Sequence, residues 1–137
     1  PRIFPLSKRA EMNQDEALIA LCKALLQDPD VVEQPGWQKL ILIGEVRPGV
    51  VGMRGYSYNV QSDCQLIAPS IDLAPLQQLH TAMQTQSPTG RGWLRCMLRI
   101  SRNGEVGADF EYTDPERWSH TPDNYQARIQ EYAALPV

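Results

Sequence analysis

The sequence predicts a single α+β domain, residues 1–137, with helices packed on a mostly antiparallel sheet of four to five strands. Residues 93–112, WLRCMLRISRNGEVGADFEY, alternate apolar and polar positions on both sides of an Asn-Gly turn, as the two half-buried strands of a β-hairpin do. Residues 37–61 hold two further strand-like runs separated only by Arg47-Pro48-Gly49. Around them, an N-terminal, a middle and a C-terminal stretch return to helical spacing. The resulting order, α-β-β-(β)-α-β-β-α, contains no repeated βαβ unit, and consecutive strands joined by tight turns pair antiparallel.

Taken in order, residues 1–9 carry no periodic pattern and read as an irregular arm. A helix follows over Glu11–Leu26, with Leu18, Leu21, Cys22 and Leu25 on one face and Ile19 and Leu26 widening the stripe. Asn13 and Glu16 have capping-box spacing, and Asp28-Pro29 ends the helix. Trp37–Val46 is a strand whose central Leu-Ile-Leu-Ile suits coverage on both faces. Val51–Gln61 is the next, with Arg54, Tyr56, Tyr58 and Val60 on one face, and Cys64–Ala68 is a short third. Asp72–Gln86 is helical through Leu73, Leu76, Leu79, His80 and Met83, with Ser70 or Asp72 as N-cap and Pro75 in the first turn. His80 lies beside that stripe, where packing at the core boundary is the expected role. Residues 87–92 form a connector.

In the hairpin the turn decides which residues face the core. A two-residue Asn103-Gly104 loop would set Leu98 opposite Asp109 and mix the faces. A three-residue loop of Arg102, Asn103 and Gly104, with Gly104 left-handed, sets Ile100 opposite Val106 and Cys96 opposite Phe110. It also sets Arg95 opposite Glu111 as a cross-strand charge pair. After Tyr112, Thr113-Asp114-Pro115 is a turn with Trp118 tucked beneath or standing out as an aromatic anchor. Thr121 caps a last helix that starts at Pro122, turns Tyr125, Ile129 and Tyr132 inward, and stops at Leu135-Pro136.

Charge is unevenly spread. From Glu105 onward seven carboxylates meet two arginines, a net of −5, whereas the preceding residues carry eleven basic side chains against nine acidic, a net of +2. The plain reading is a solvated face; the sharper one is an acidic surface that steers a basic partner. Either disfavours binding nucleic acid through this region. No apolar run reaches membrane-spanning length, and PRIFPLSKRA lacks the pattern of a secretory signal. Cys22, Cys64 and Cys96, odd in number and widely spaced in apolar surroundings, read as reduced thiols of a cytoplasmic protein.

Catalytic patterns are thin. Gly49, Gly52 and Gly55 lack the strand-loop-helix context of a phosphate loop, and no two cysteines or histidines have zinc spacing. Ser119, His120 and Asp114 or Asp123 can be drawn as a triad, but adjacency in sequence is not convergence in space. Asp109 and Glu111 share a strand face and can be read as paired carboxylates or simply as its polar side. Pro1 leaves open a small enzyme with an amino-terminal proline base, although no strand pattern follows it. No catalytic residue, cofactor or metal is assigned.

The run Trp93-Leu94-Arg95, Asn103-Gly104-Glu105, Asp109-Phe110-Glu111-Tyr112, Asp114-Pro115, Trp118, Pro122, Tyr125 and Leu135-Pro136 resembles the YezG-like (DUF600-type) immunity proteins of bacterial polymorphic toxin systems. The resemblance covers the last third of the chain; upstream only the order of elements is compatible. It implies a small cytoplasmic antitoxin that binds one cognate toxin domain, often a nuclease, and blocks it by occlusion or allostery without catalysis. An acidic inhibitor can compete for a nuclease's phosphate-binding groove. That expectation places Asp109, Glu111, Asp114, Glu116 and Asp123 on or near the binding face, with Trp118 as anchor. The alternative is an adaptor of the same fold without a toxin partner.

Overall fold

The computed structural model describes residues 13–137. The elements are α1 (Gln14–Leu26), α2 (Pro29–Val32), β1 (Trp37–Arg47), β2 (Val50–Asn59), β3 (Cys64–Ile67), α3 (Ala74–Gln86), β4 (Arg95–Ser101), β5 (Val106–Glu111) and α4 (Tyr125–Ala133). The expected arm over residues 1–9, the helix start at Glu11 and Pro1 lie outside the described residues. The strands form one sheet in the order β3-β2-β1-β4-β5, each neighbouring pair antiparallel, which is the α+β architecture the sequence predicts.

The hairpin has the expected register. Ile100 faces Val106, Cys96 faces Phe110 and Arg95 faces Glu111. Ser101 donates its amide to the Glu105 carbonyl at 2.9 Å and its own carbonyl accepts from Gly104 at 3.0 Å, so the loop is Arg102-Asn103-Gly104. Gly104 adopts φ +96°, a conformation that a Cβ penalises.

β1 lies at the centre, and Leu40, Ile41, Leu42 and Ile43 are all buried. Leu40 and Leu42 point into a core shared with α1, α2 and α3, together with Cys96, Leu98 and Ile100 of β4 and with Trp93. Ile41 and Ile43 point the other way, into a second core with Tyr56, Tyr58, Met97, Trp118 and Tyr132. The sheet is therefore covered by helices on one face and by the C-terminal segment on the other.

α1 begins where the capping box places it: Asn13 accepts the Glu16 amide at 2.8 Å and donates to the Glu16 carboxylate at 2.6 Å. Its buried residues are Ala17, Leu21, Cys22 and Leu25, with Leu18 packed beside them. Ile19 and Leu26, expected to widen that stripe, are instead 54% and 38% exposed. Seven residues apart, they share one stripe of the helix, well round from the Ala17–Leu21–Leu25 line that faces the sheet. α3 buries Leu76, Leu79 and Ala82; its first amide, Ala74, donates to Asp72 at 2.8 Å. β2 ends at Asn59, so Val60 lies past the strand and is exposed.

α4 starts three residues later than expected, with Asn124 and not Thr121 at its N-cap position; Thr121 instead closes the turn that leads into it. The Thr121 hydroxyl accepts the Asn124 amide at 3.2 Å, and the Asn124 side chain accepts the Thr121 amide at 2.7 Å. This reciprocal bonding has the pattern of a capping box, with Asn in the Glu/Gln role. Residues 122–124 form a turn and the helix proper begins at Tyr125.

Asp28 does more than end α1. It is 4% exposed, caps α2 through the Asp30 amide at 2.9 Å, and accepts from both the Ser70 amide at 2.6 Å and the Ser70 hydroxyl at 2.8 Å. Burial pushes its carboxyl up, but these donors outweigh it and hold the group below its ordinary value. Replacing Asp28 with Ala strands these donors. We expect D28A to lose about 2–3 kcal/mol, read as a lower urea midpoint at neutral pH with an unchanged slope.

Candidate partner-binding surface

The surface named from the sequence lies on the sheet face opposite α1 and α3, where the pairing aligns side chains in rows. Glu45 of β1 stands beside Arg95 of β4 and then Glu111 of β5; Ile43 stands beside Met97 and then Asp109; Ile41 stands beside Arg99 and then Gly107. Each row thus begins at the sheet centre and ends at the β5 edge.

Two segments cover this face. Toward β1 and β2 lies α4, fastened at its C-terminal end by Lys39, whose ammonium donates to the carbonyls of Tyr132 (2.7 Å), Ala133 (3.0 Å) and Leu135 (2.7 Å). These include terminal carbonyls that the helix cannot satisfy itself, and a cation there also suits its dipole. Burial lowers the Lys39 pKa below its ordinary value. The Tyr58 hydroxyl donates to the Ile129 carbonyl at 2.7 Å, and the Tyr56 hydroxyl lies 2.6 Å from His120 Nδ1. Burial, and then the charge of Arg54, keep the His120 imidazole toward its neutral form, which can accept the phenol proton.

Toward β4 and β5 lies the turn 113–118. Arg95 does not take Glu111 as its partner. It pairs with Glu45 at 3.1 Å and donates Nε–H to the Pro115 carbonyl at 2.7 Å. Glu111 turns instead to the segment that follows it: Oε1 accepts from Arg117 at 2.9 Å, and Oε2 accepts the amides of Thr113 and Asp114 and the Thr113 hydroxyl, each at 3.1 Å. The register is as expected but the charge pair is not, because Glu45 and Arg117 offer each group a second partner from another element.

Trp118 is 5% exposed, with the Arg117 guanidinium 4.4 Å above its ring. Its backbone has φ +62°, a left-handed conformation costing about 1–2 kcal/mol for a residue with a Cβ. Burial in the second core holds it there, so Trp118 anchors the turn to the sheet and is not an aromatic anchor for a partner.

The carboxylates divide into two groups. Asp109 pairs with Arg99, whose guanidinium lies flat on Gly107; a Cβ on that glycine would sit 2.5 Å from the Arg99 terminal nitrogen. Glu111 pairs with Arg117, and Glu131 with Arg128 at 3.1 Å. Asp114, Glu116 and Asp123 are exposed and in no ion pair among the described residues. The structure therefore puts Asp109, Glu111, Asp114 and Glu116 around the β5 edge and the turn beyond it, with Asp123 further on in the first turn before α4.

The catalytic drawings do not assemble. His120 faces Tyr56, not Ser119, and the Ser119 hydroxyl accepts from Asn124 at 3.0 Å while buried. Asp109 and Glu111 each face an arginine, which is the geometry of structural pairs. His80 packs edge-on against Trp93 at 4.9 Å between ring centroids, the boundary role expected of it. Cys22 and Cys96 are buried thiols and Cys64 is half-buried, none in a disulfide. Among the described residues no helix is long and apolar enough to cross a membrane. No family model matches the chain, and no curated protein matches it either.

Two outcomes test this construction. Arg117, with the Thr113 and Asp114 amides, pulls the Glu111 carboxyl from 4.5 to about 2. A carboxyl depressed in the folded state stabilises above its unfolded value and loses that contribution as pH falls through the folded one. The turn should therefore loosen between about pH 4.5 and 2, seen as a rise in the tryptophan emission wavelength. E111Q should show the loosened spectrum at neutral pH and lose that step. Separately, K39M removes the α4 clamp and should cost about 1–3 kcal/mol, with hydrogen exchange accelerating in α4 before β1.

Proposed function

We propose that this chain is an immunity-type protein that binds a cognate bacterial toxin domain in the cytoplasm and neutralises it by occlusion or allosteric blocking. The observation that carries the reading is the segment 113–124. It is seated on the sheet through Trp118, Arg117–Glu111 and Arg95–Pro115, and presents Asp114, Glu116 and Asp123 without basic partners among the described residues. A rigid scaffold with ionised groups directed outward is prepared to bind a basic surface with little reorganisation. A nuclease domain, which must hold phosphates with Lys and Arg, presents such a surface. The resemblance of residues 93–136 to YezG-like immunity proteins supports the same reading.

The charge of Asp109 and Glu111 is partly met by Arg99 and Arg117, so Asp114, Glu116 and Asp123, in no ion pair among the described residues, supply most of the available field.

The test is co-expression with the carboxyl-terminal domain of the protein encoded beside this one. Survival of the cells and a co-purifying complex are the expected result. The D114K/E116K/D123K variant should slow association by about tenfold or more and flatten its salt dependence, with dissociation less affected. If cells die despite a folded chain, the toxin-neutralising reading is wrong. If the chain instead captures only non-toxic proteins, it is an adaptor.

A further inference from the structure

β5 is an edge strand, and the bonding pattern fixes which of its backbone groups are already engaged. Flanking β4, Arg102 donates its amide to Gln38 and Leu94 accepts from Val46, so the even-numbered residues between them bond to β1; the Leu94 amide, just before the strand, goes to the Glu111 carbonyl at 2.7 Å. The odd-numbered residues bond to β5, as the Ser101 amide on the Glu105 carbonyl shows. In an antiparallel ladder the partners then alternate. Gly107, Asp109 and Glu111 face β4, and Val106, Ala108 and Phe110 direct their amides and carbonyls to the outer edge. No hydrogen bond among the described residues uses those outward groups.

The side chains flanking that row alternate in character. On one face stand Val106, 44% exposed, and the half-buried Ala108 and Phe110. On the other stands Asp109, with just over half its side chain exposed, with Glu105 at the turn end and Asp114 and Glu116 beyond the far end; Glu111 shares this face but is largely covered by Arg117 and the turn that follows. A strand laid along this edge meets apolar surface on one side and carboxylates on the other. Self-pairing is opposed, because an antiparallel copy centred on Gly107 brings Asp109 against Glu105 of the second molecule and one centred on Asp109 brings the two Asp109 side chains together, and like charges directly opposite are unfavourable. The other edge of the sheet, β3, is four residues long and carries no charged side chain.

We propose that the β5 edge is a docking site for an extended segment of a partner protein in which Lys or Arg alternates with β-branched apolar residues. The segment adds to the sheet as a sixth strand. Backbone bonds to Val106, Ala108 and Phe110 supply affinity, and Asp109 with the neighbouring carboxylates selects the basic residues. The identity of that partner as a toxin domain rests on the preceding reading; the chemistry of the segment does not.

The test uses the whole chain and an acetylated, amidated peptide Lys-Val-Lys-Val-Lys-Val-Lys, with a Glu-Val counterpart as control. Residue-resolved hydrogen exchange is the readout. In the free protein the amides of Ala108 and Phe110 should exchange fast and those of Gly107 and Asp109 slowly. The basic peptide should slow Ala108 and Phe110 by about tenfold or more, and the acidic peptide should not. A108P removes an outward amide without touching the β4 ladder, so it should abolish peptide binding while the slow exchange of Gly107 and Asp109 persists. D109N, milder still, should weaken binding of the basic peptide alone. No protection of Ala108 and Phe110 by the basic peptide overturns the proposal, as does equal protection by both peptides. Protection that grows with protein concentration in the absence of peptide also overturns it, in favour of self-pairing. Failure of co-expression to protect cells sinks the toxin reading and leaves the peptide result standing.

Discussion

Four consecutive residues of β1, Leu40 to Ile43, are buried, and side chains along a strand alternate between faces. Burial of both sets requires a cover on each face of the sheet, and most of the remaining chain supplies those covers. α1 and α3 take the Leu40 and Leu42 side, and the segment after β5 takes the Ile41 and Ile43 side. The second cover is the more demanding. Its Trp118 and Tyr132 pack against Tyr56 and Tyr58 of β2, and the three phenols carry a polar group into the interior. Two of those hydroxyls find partners, Tyr58 on the Ile129 carbonyl and Tyr56 on His120, and in finding them they fix where α4 lies.

The acidic segment is thereby explained as structure before it is explained as function. Glu111 organises the turn by accepting from Thr113, Asp114 and Arg117; Arg117 lies over Trp118; and Trp118 occupies the second core in a backbone conformation it would not adopt alone. Each link holds the next. What is left over from that network, Asp114, Glu116 and Asp123, is what a partner can use. A surface formed from residues surplus to folding can change its contacts without loss of the fold.

Local chemistry was legible in the sequence, and long-range competition was not. The register of β4 and β5 follows from alternation and one glycine within a few residues of the turn, so Arg95 opposite Glu111 could be placed without the fold. Which partner each charge takes could not, because Glu45 lies fifty positions upstream of Arg95 and reaches it only through β1–β4 pairing. The same limit hid the Asp28–Ser70 and Tyr56–His120 contacts, which join elements far apart in the chain. For α1 the difficulty was angular: periodicity located the stripe, but its width depended on how closely the helix approaches the sheet, and that favoured Ala17 over Ile19. Trp118 carried both a buried and an exposed reading because composition is silent on the backbone angle that turns its ring inward.

The open edge of β5 and the ion pairs beside it belong to one physical problem. An edge strand with unsatisfied amides invites indiscriminate pairing, and charged side chains along it discourage that. Asp109, with just over half its side chain exposed, serves this purpose along the strand, and Glu105 at its turn end, whereas Glu111 is turned into the segment that follows and is covered by Arg117. As placed, the charge excludes a second copy and an acidic strand but admits a basic one. Specificity then comes from what the edge refuses as much as from what it binds.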